Sequence, residues 1–209
     1  VQREADPAHP IGLYLQRTAA SWLTAADLLG ALGSADVSRH SIALFGRPGD
    51  PLPGSELSNL DAARHFIDVA EELDRTLGGD LEASHHIPAE QLRGELQAEL
   101  DRFFTRHSVR VEIDPGLIAK AAAGPTRIRL RGNTAFSEYD RHQLLEHEAF
   151  VHTLTALNGR EQPLLGSLAR NSPRTTATQE GLATFAELIT GAIDITRMKR
   201  ISLRIVAID

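Results

Sequence analysis

Leu144-Leu-Glu-His-Glu-Ala-Phe-Val-His-Thr-Leu154 is the stretch on which the fold turns, because it combines a dense apolar pattern with a His-Glu pair and a second histidine. On a regular α-helix each residue turns about 100°, so histidines four apart lie on one face. His147 and His152 are five apart, about 140° round the axis, and two imidazoles so placed do not share an ion on an ideal helix. One extra residue absorbed in a π-bulge brings them together, and such bulges are frequent at functional sites. The bland alternative is a regular helix with surface pairs four apart, Glu148 with His152 and His142 with Glu146. The flanks weigh against it. Leu144, Leu145, Phe150, Val151, Leu154 and Leu157 cover most of the circumference, which predicts a buried helix over Arg141–Leu157. Buried His and Glu need polar partners, and a metal ion is a good one.

Composition narrows the donors. The 209-residue chain has no cysteine, so disulfides and thiolate ligands are excluded and a metal must be held by His, Asp or Glu. A formal net charge of −6 argues against general nucleic-acid binding. No apolar run is long enough to span a membrane and no secretion signal is evident, so the expected compartment is the cytoplasm. The chain starts at Val1 rather than Met, from which a trimmed or processed fragment is expected.

Working outward, Ile11 to Leu32 has helical spacing and reads as one or two helices, with Trp22, Leu23, Leu28 and Leu29 among its apolar positions. Phe45 to Gly54 is too rich in Gly and Pro to be anything but a loop, and it lacks the Lys-Ser/Thr of a phosphate-binding loop. Ser58 to Leu77 predicts a second packing helix stopped by Gly78-Gly79, and Leu92, Leu96, Leu100 and Phe103 carry a third after Pro88. A soft boundary is expected near Ser84–Pro88. From Val109 the period becomes two: Val109, Val111 and Ile113 make one strand, Pro115-Gly116 a turn, and Ile128 with Leu130 a second strand. The expected fold class is α+β, mainly helical, with a small sheet and an N-terminal helical part. It reads as a single domain, 1–209, or a fragment of a longer catalytic domain, with 1–105 mostly helical and 106–209 carrying strands and metal-site helices.

A catalytic zinc takes three protein ligands and leaves a position for water. The third ligand must come from elsewhere in the chain. Thr178-Gln-Glu-Gly-Leu-Ala183 opens an apolar helix running to Ile189, and Glu180 lies in its first turn, where a carboxylate also suits the helix dipole without any metal.

His147-Glu-Ala-Phe-Val-His152 followed by Thr178-Gln-Glu-Gly-Leu-Ala183 resembles the flavohaemoglobin expression-modulating QEGLA-motif proteins, whose eukaryotic relatives include the microtubule-associated tyrosine carboxypeptidases. The similarity extends from about Ser41–Gly46 through Phe136–Asp140 to Glu187. It implies a zincin-like metallopeptidase with His147, His152 and Glu180 as zinc ligands and Glu148 as general base. Members of the family continue well beyond this segment, so helices that close the pocket are expected to be missing here. Under this reading the substrate is a peptide or protein tail, and the narrower expectation is a carboxypeptidase. The alternative is a non-catalytic regulatory or binding module in which metal only ties two helices together.

Tyr139, His142 and Arg174 are available oxyanion donors, and Arg170 and Arg174 are candidates to pair with a substrate carboxylate. Arg127, Arg129 and Arg131 read as charges that protect an exposed strand edge, or as a surface for an acidic substrate. His85 and His86 read as polar surface, His40, His65 and His107 have no partner identifiable in the sequence, and the basic run Arg197-Met-Lys-Arg200 reads as compositional bias. Oligomeric state is left open.

Overall fold

In a computed structural model, residues 4–77 and 86–209 are described. The expected Gly78-Gly79 stop, Ser84 and His85 lie outside them. The fold is α+β and mainly helical, as the sequence predicts. Helices α1 (Pro10–Gly30), α2 (Asp36–Phe45) and α3 (Asn59–Leu77) come first, then β1 (Ile87–Pro88) and α4 (Ala89–Phe103). Strands β2 (Arg110–Asp114), β3 (Ala121–Ala123), β4 (Arg127–Arg131) and β5 (Ala135–Phe136) follow. A long helical rod then runs as α5 (Glu138–Leu144), a π-helical stretch (Leu145–Thr153) and α6 (Leu154–Arg160). Helices α7 (Thr176–Ile189) and α8 (Ile195–Ile208) end the chain.

Two compact units are formed, the first from residues 1–67, 171–178 and 201–209, the second from 68–170 and 179–200. In the first, Ile11–Leu32 resolves into one long helix, capped by the His9 ring, which accepts from the Ile11 N–H. Its apolar residues are not core: Trp22 is 53% exposed and Leu23 56%. Ser58 stands just outside α3 and exchanges hydrogen bonds with Asp61, a reciprocal cap that fixes where this helix begins.

The core lies in the second unit. Leu92, Leu96 and Leu100 repeat every four residues along α4, so all three fall on one face and are buried. They pack with Val109, Val111, Ile128, Leu130 and Phe136 from the strands and with Leu144, Ala149 and Leu157 from the rod. Phe103 was expected on that face, but it is 51% exposed and the next residue, Phe104, is buried instead. The helix ends at Phe103, and the backbone that follows turns the neighbouring ring inward. Gln97 ties α4 to the sheet, donating to the Val109 carbonyl at 3.0 Å and accepting from the Val111 N–H at 2.8 Å.

The two expected strands pair in parallel, Val111 opposite Ile128 and Ile113 opposite Leu130, and β3 adds antiparallel on the far side of β4. Strand β4 is therefore central, and its arginines do not guard an edge. Arg127 and Arg129 reach Glu112 and Asp114 on β2, at 3.5 and 3.1 Å, and Arg131 donates to the Ile118 carbonyl. A parallel register puts alternate acids beside alternate arginines, so the row of charge is satisfied across the ladder.

The sheet leads directly into the rod. Ser137 caps α5 in a reciprocal box with Asp140, and Lys120, just before β3, donates to the same Asp140 carboxylate at 2.6 Å. Such a cap contributes about 1 kcal/mol. Beyond the π-helical stretch, Gly159 on α6 lies so close to the turn Gly166–Ala169 that a Cβ would meet the Leu168 carbonyl carbon at 2.3 Å. Only glycine allows that approach. The rod is thus held at its start by a buried cap and at its end by backbone contact, and the segment between carries the histidines.

Candidate metal centre

The nine residues Leu145–Thr153 are wound as a π-helix, in which an N–H bonds five residues back rather than four. The Leu154 N–H, for example, reaches the Ala149 carbonyl. This winding puts residues five apart above one another, and the ring centres of His147 and His152 lie 4.8 Å apart with their planes nearly perpendicular. Where a single bulge was expected, the winding extends over the whole motif. Thr153, fully buried, donates to the Gly124 carbonyl and fixes the stretch against the sheet.

Helix α7 supplies the third group. One carboxylate oxygen of Glu180 is 3.5 Å from Nε2 of His147, and the other is 3.5 Å from Nε2 of His152. Ligand atoms of the three residues all lie within 4.8 Å of one another. Two donors each about 2.1 Å from a tetrahedral ion are about 3.4 Å apart, so both His–Glu separations match those expected around one ion. The donor set, two imidazoles and a carboxylate, is also that of hydrolytic zinc. Glu148 is half-buried on the same stretch, beside His147, and its charge favours the imidazolium there.

A second carboxylate escapes the sequence reading. Glu187 is fully buried and lies 2.6 Å from Nδ1 of His147. The Arg197 guanidinium forks onto it, with Nη2 at 2.6 Å from one oxygen and Nε on the other. Burial would by itself lower the His147 pKa, but the Glu187 hydrogen bond, the Glu148 charge and the Glu187 charge outweigh it and the value is raised. For Glu187 burial acts to raise the value, and the bonds from His147 and Arg197 win, holding it below the usual carboxylate range.

The expected residues divide clearly. His147, His152 and Glu180 come together, with Glu148 adjacent. Tyr139 is exposed on the first turn of α5, and Arg170 is exposed after the turn Gly166–Ala169. Arg174 belongs to the first unit, where its guanidinium stacks over Tyr14 at 5.9 Å. Among the described residues, no hydrogen bond or ion pair joins Tyr139 or Arg170 to the cluster. The basic run at 197–200 is not mere compositional bias, because Arg197 holds Glu187 and Lys199 pairs with Asp74 at 3.0 Å. His107, which offered no partner in the sequence, is 2.8 Å from Glu161. One signal for Glu187 exists in the sequence: it stands seven residues after Glu180, about 20° from the same helical face.

Searches among curated proteins and among solved structures each returned no match. A family model does match, with the description microtubule-associated tyrosine carboxypeptidase, and it covers residues 1–209. The chain belongs to the microtubule-associated tyrosine carboxypeptidase family.

Proposed function

We propose that this protein is a zinc-dependent metallocarboxypeptidase with a zincin-like core, which removes a C-terminal residue from a protein tail. The observation that carries the reading is the convergence of His147, His152 and Glu180 on one point from a π-wound helix and a second helix. The family description supports carboxypeptidase chemistry and tyrosine as the residue released. A bound zinc would supply Lewis acidity and lower the pKa of water towards neutrality. Glu148 takes the proton from the attacking water and returns it to the leaving amine. A half-buried carboxylate beside a buried histidine suits that exchange, because it is reachable by water and close to the ligands.

Two further groups in the same unit are assigned roles by their chemistry. Tyr139 offers an exposed phenol to a developing oxyanion, and Arg170 an exposed fork to the substrate's terminal carboxylate. A tail-trimming enzyme of a family described as microtubule-associated fits a cytoplasmic setting. No helix among the described residues is long and apolar enough to cross a membrane.

The test is Glu148→Gln, assayed on peptides ending in tyrosine together with zinc content. The variant keeps the zinc and loses about 100- to 10,000-fold in turnover, the usual contribution of a general base. Undiminished release of the terminal residue by the variant contradicts the assignment.

A further inference from the structure

We infer that Glu187 and Arg197 are positioning residues of the metal centre, with Glu187 orienting the His147 imidazole through Nδ1 and Arg197 holding Glu187 in place. The inference rests on the metal reading above and extends it to two residues outside the ligand set.

Gly191, at φ +70, allows the chain to reverse: the Ala192 N–H bonds the Glu187 carbonyl at 2.8 Å and the Gly191 N–H bonds the Leu188 carbonyl at 3.3 Å. This is a Schellman ending, and Ala192 at its close is buried. Glu187 therefore sits in the last turn of α7, and Glu180 lies one turn in from its start at Thr176 rather than in the first turn the sequence suggests, so one helix presents both carboxylates. The reversal then launches α8. Asp194 accepts from the Arg197 N–H at 2.6 Å, and this cap sets Arg197 in the first turn of α8, from which its fork closes on Glu187.

The consequence falls on His147. An imidazole has two nitrogens, and the partner of one decides which atom is left for a metal. With Nδ1 engaged by Glu187 at 2.6 Å, Nε2 is the atom turned toward Glu180. His152 has no such assignment to make here, since its Nε2 already faces Glu180 from the other side. A buried carboxylate that only filled space would be costly, and an arginine fork alone would satisfy it. Its short bond to a metal-ligand histidine gives it a further use, the one in which an outer carboxylate fixes tautomer and ring orientation.

The experiment measures zinc affinity by chelator competition on the full chain, for wild type, Glu187→Gln and Arg197→Lys, with side-chain nitrogen NMR of His147 in the loaded proteins. Glutamine keeps an acceptor but loses the charge and the fork, and lysine keeps a charge but loses the fork. Affinity falls about 10- to 100-fold in Glu187→Gln and by less in Arg197→Lys. The NMR places the proton on Nδ1 and the metal on Nε2 in wild type, and this preference weakens in the variants. A purely structural role would lower the melting temperature without moving that signature. If Glu187→Gln does not fold, Arg197→Lys decides alone. Wild-type affinity and an unchanged His147 signature in the variants overturn the inference and leave the metal reading standing, whereas a wild type that binds no zinc overturns both.

Discussion

Helix α4 and the π-wound stretch Leu145–Thr153 lie in the same unit, contribute to the same core and follow opposite rules. In α4 the apolar residues recur every four positions, the winding is regular, and the result is a packing face. In the other, Ala149 reaches the core while His147 and His152, five apart, share a face because the winding has changed. Regular periodicity builds the support. A departure from it concentrates polar groups that a regular helix would have scattered.

That contrast can be broken most severely at the ligands. His152→Ala removes one of three donors and abolishes stoichiometric zinc binding, measured by elemental analysis after dialysis, yet it leaves the metal-free fold intact because His152 is only half-buried. Leu92→Ala does the reverse. Leu92 is completely buried, so its truncation costs about 2–5 kcal/mol in chemical denaturation. The zinc affinity of the folded fraction stays at the wild-type level. Equal losses of metal in both variants would deny the division between support and site.

A smaller effect sharpens the comparison through pH. The lowered pKa of Glu187 contributes stability that is present above the ordinary carboxylate range and lost as pH falls. The raised pKa of His147 contributes stability that is present below the ordinary imidazole range and lost as pH rises through the raised value. The metal-free protein is therefore most stable between the two ranges in melts across pH. Zinc must displace the extra proton of His147, so its affinity grows as pH rises through the same value. Glu187→Leu removes the acid-side dependence and weakens the one at His147, to which the Glu148 charge still contributes.

Much of the support was legible in the sequence, and its limits have physical causes. Leu92, Leu96 and Leu100 announce themselves because one face of a helix must be apolar to be buried. Trp22, Leu23 and Phe103 carry the same signal and are exposed, since periodicity tells which residues share a face and not what covers that face. Strand β3 is Ala121–Ala123, and alanine has neither the β-branching nor the alternation that marks a strand. The parallel pairing of β2 with β4 depends on where β3 goes, which no local pattern records.

The site divides in the same way. His147, Glu148 and His152 are read from one short motif, and Glu180 from a second, because each is a local arrangement. Glu187 is forty residues from its histidine, and in the sequence it is one more acid in a helix otherwise marked by apolar residues. Arg197 is hidden among other basic residues and is distinguished only by the turn at Gly191 that brings it back. Long-range pairs of this kind become visible only when the chain is folded.

The central claim is that His147, His152 and Glu180 hold one zinc ion, and elemental analysis of wild type beside Glu180→Ala, both dialysed against trace mixed metals, tests it most directly. The account predicts about one zinc per wild-type chain, as a three-donor site of this kind takes a single ion, and its loss in the variant. Wild-type protein without zinc, or a Glu180→Ala variant that keeps it fully, would contradict the account.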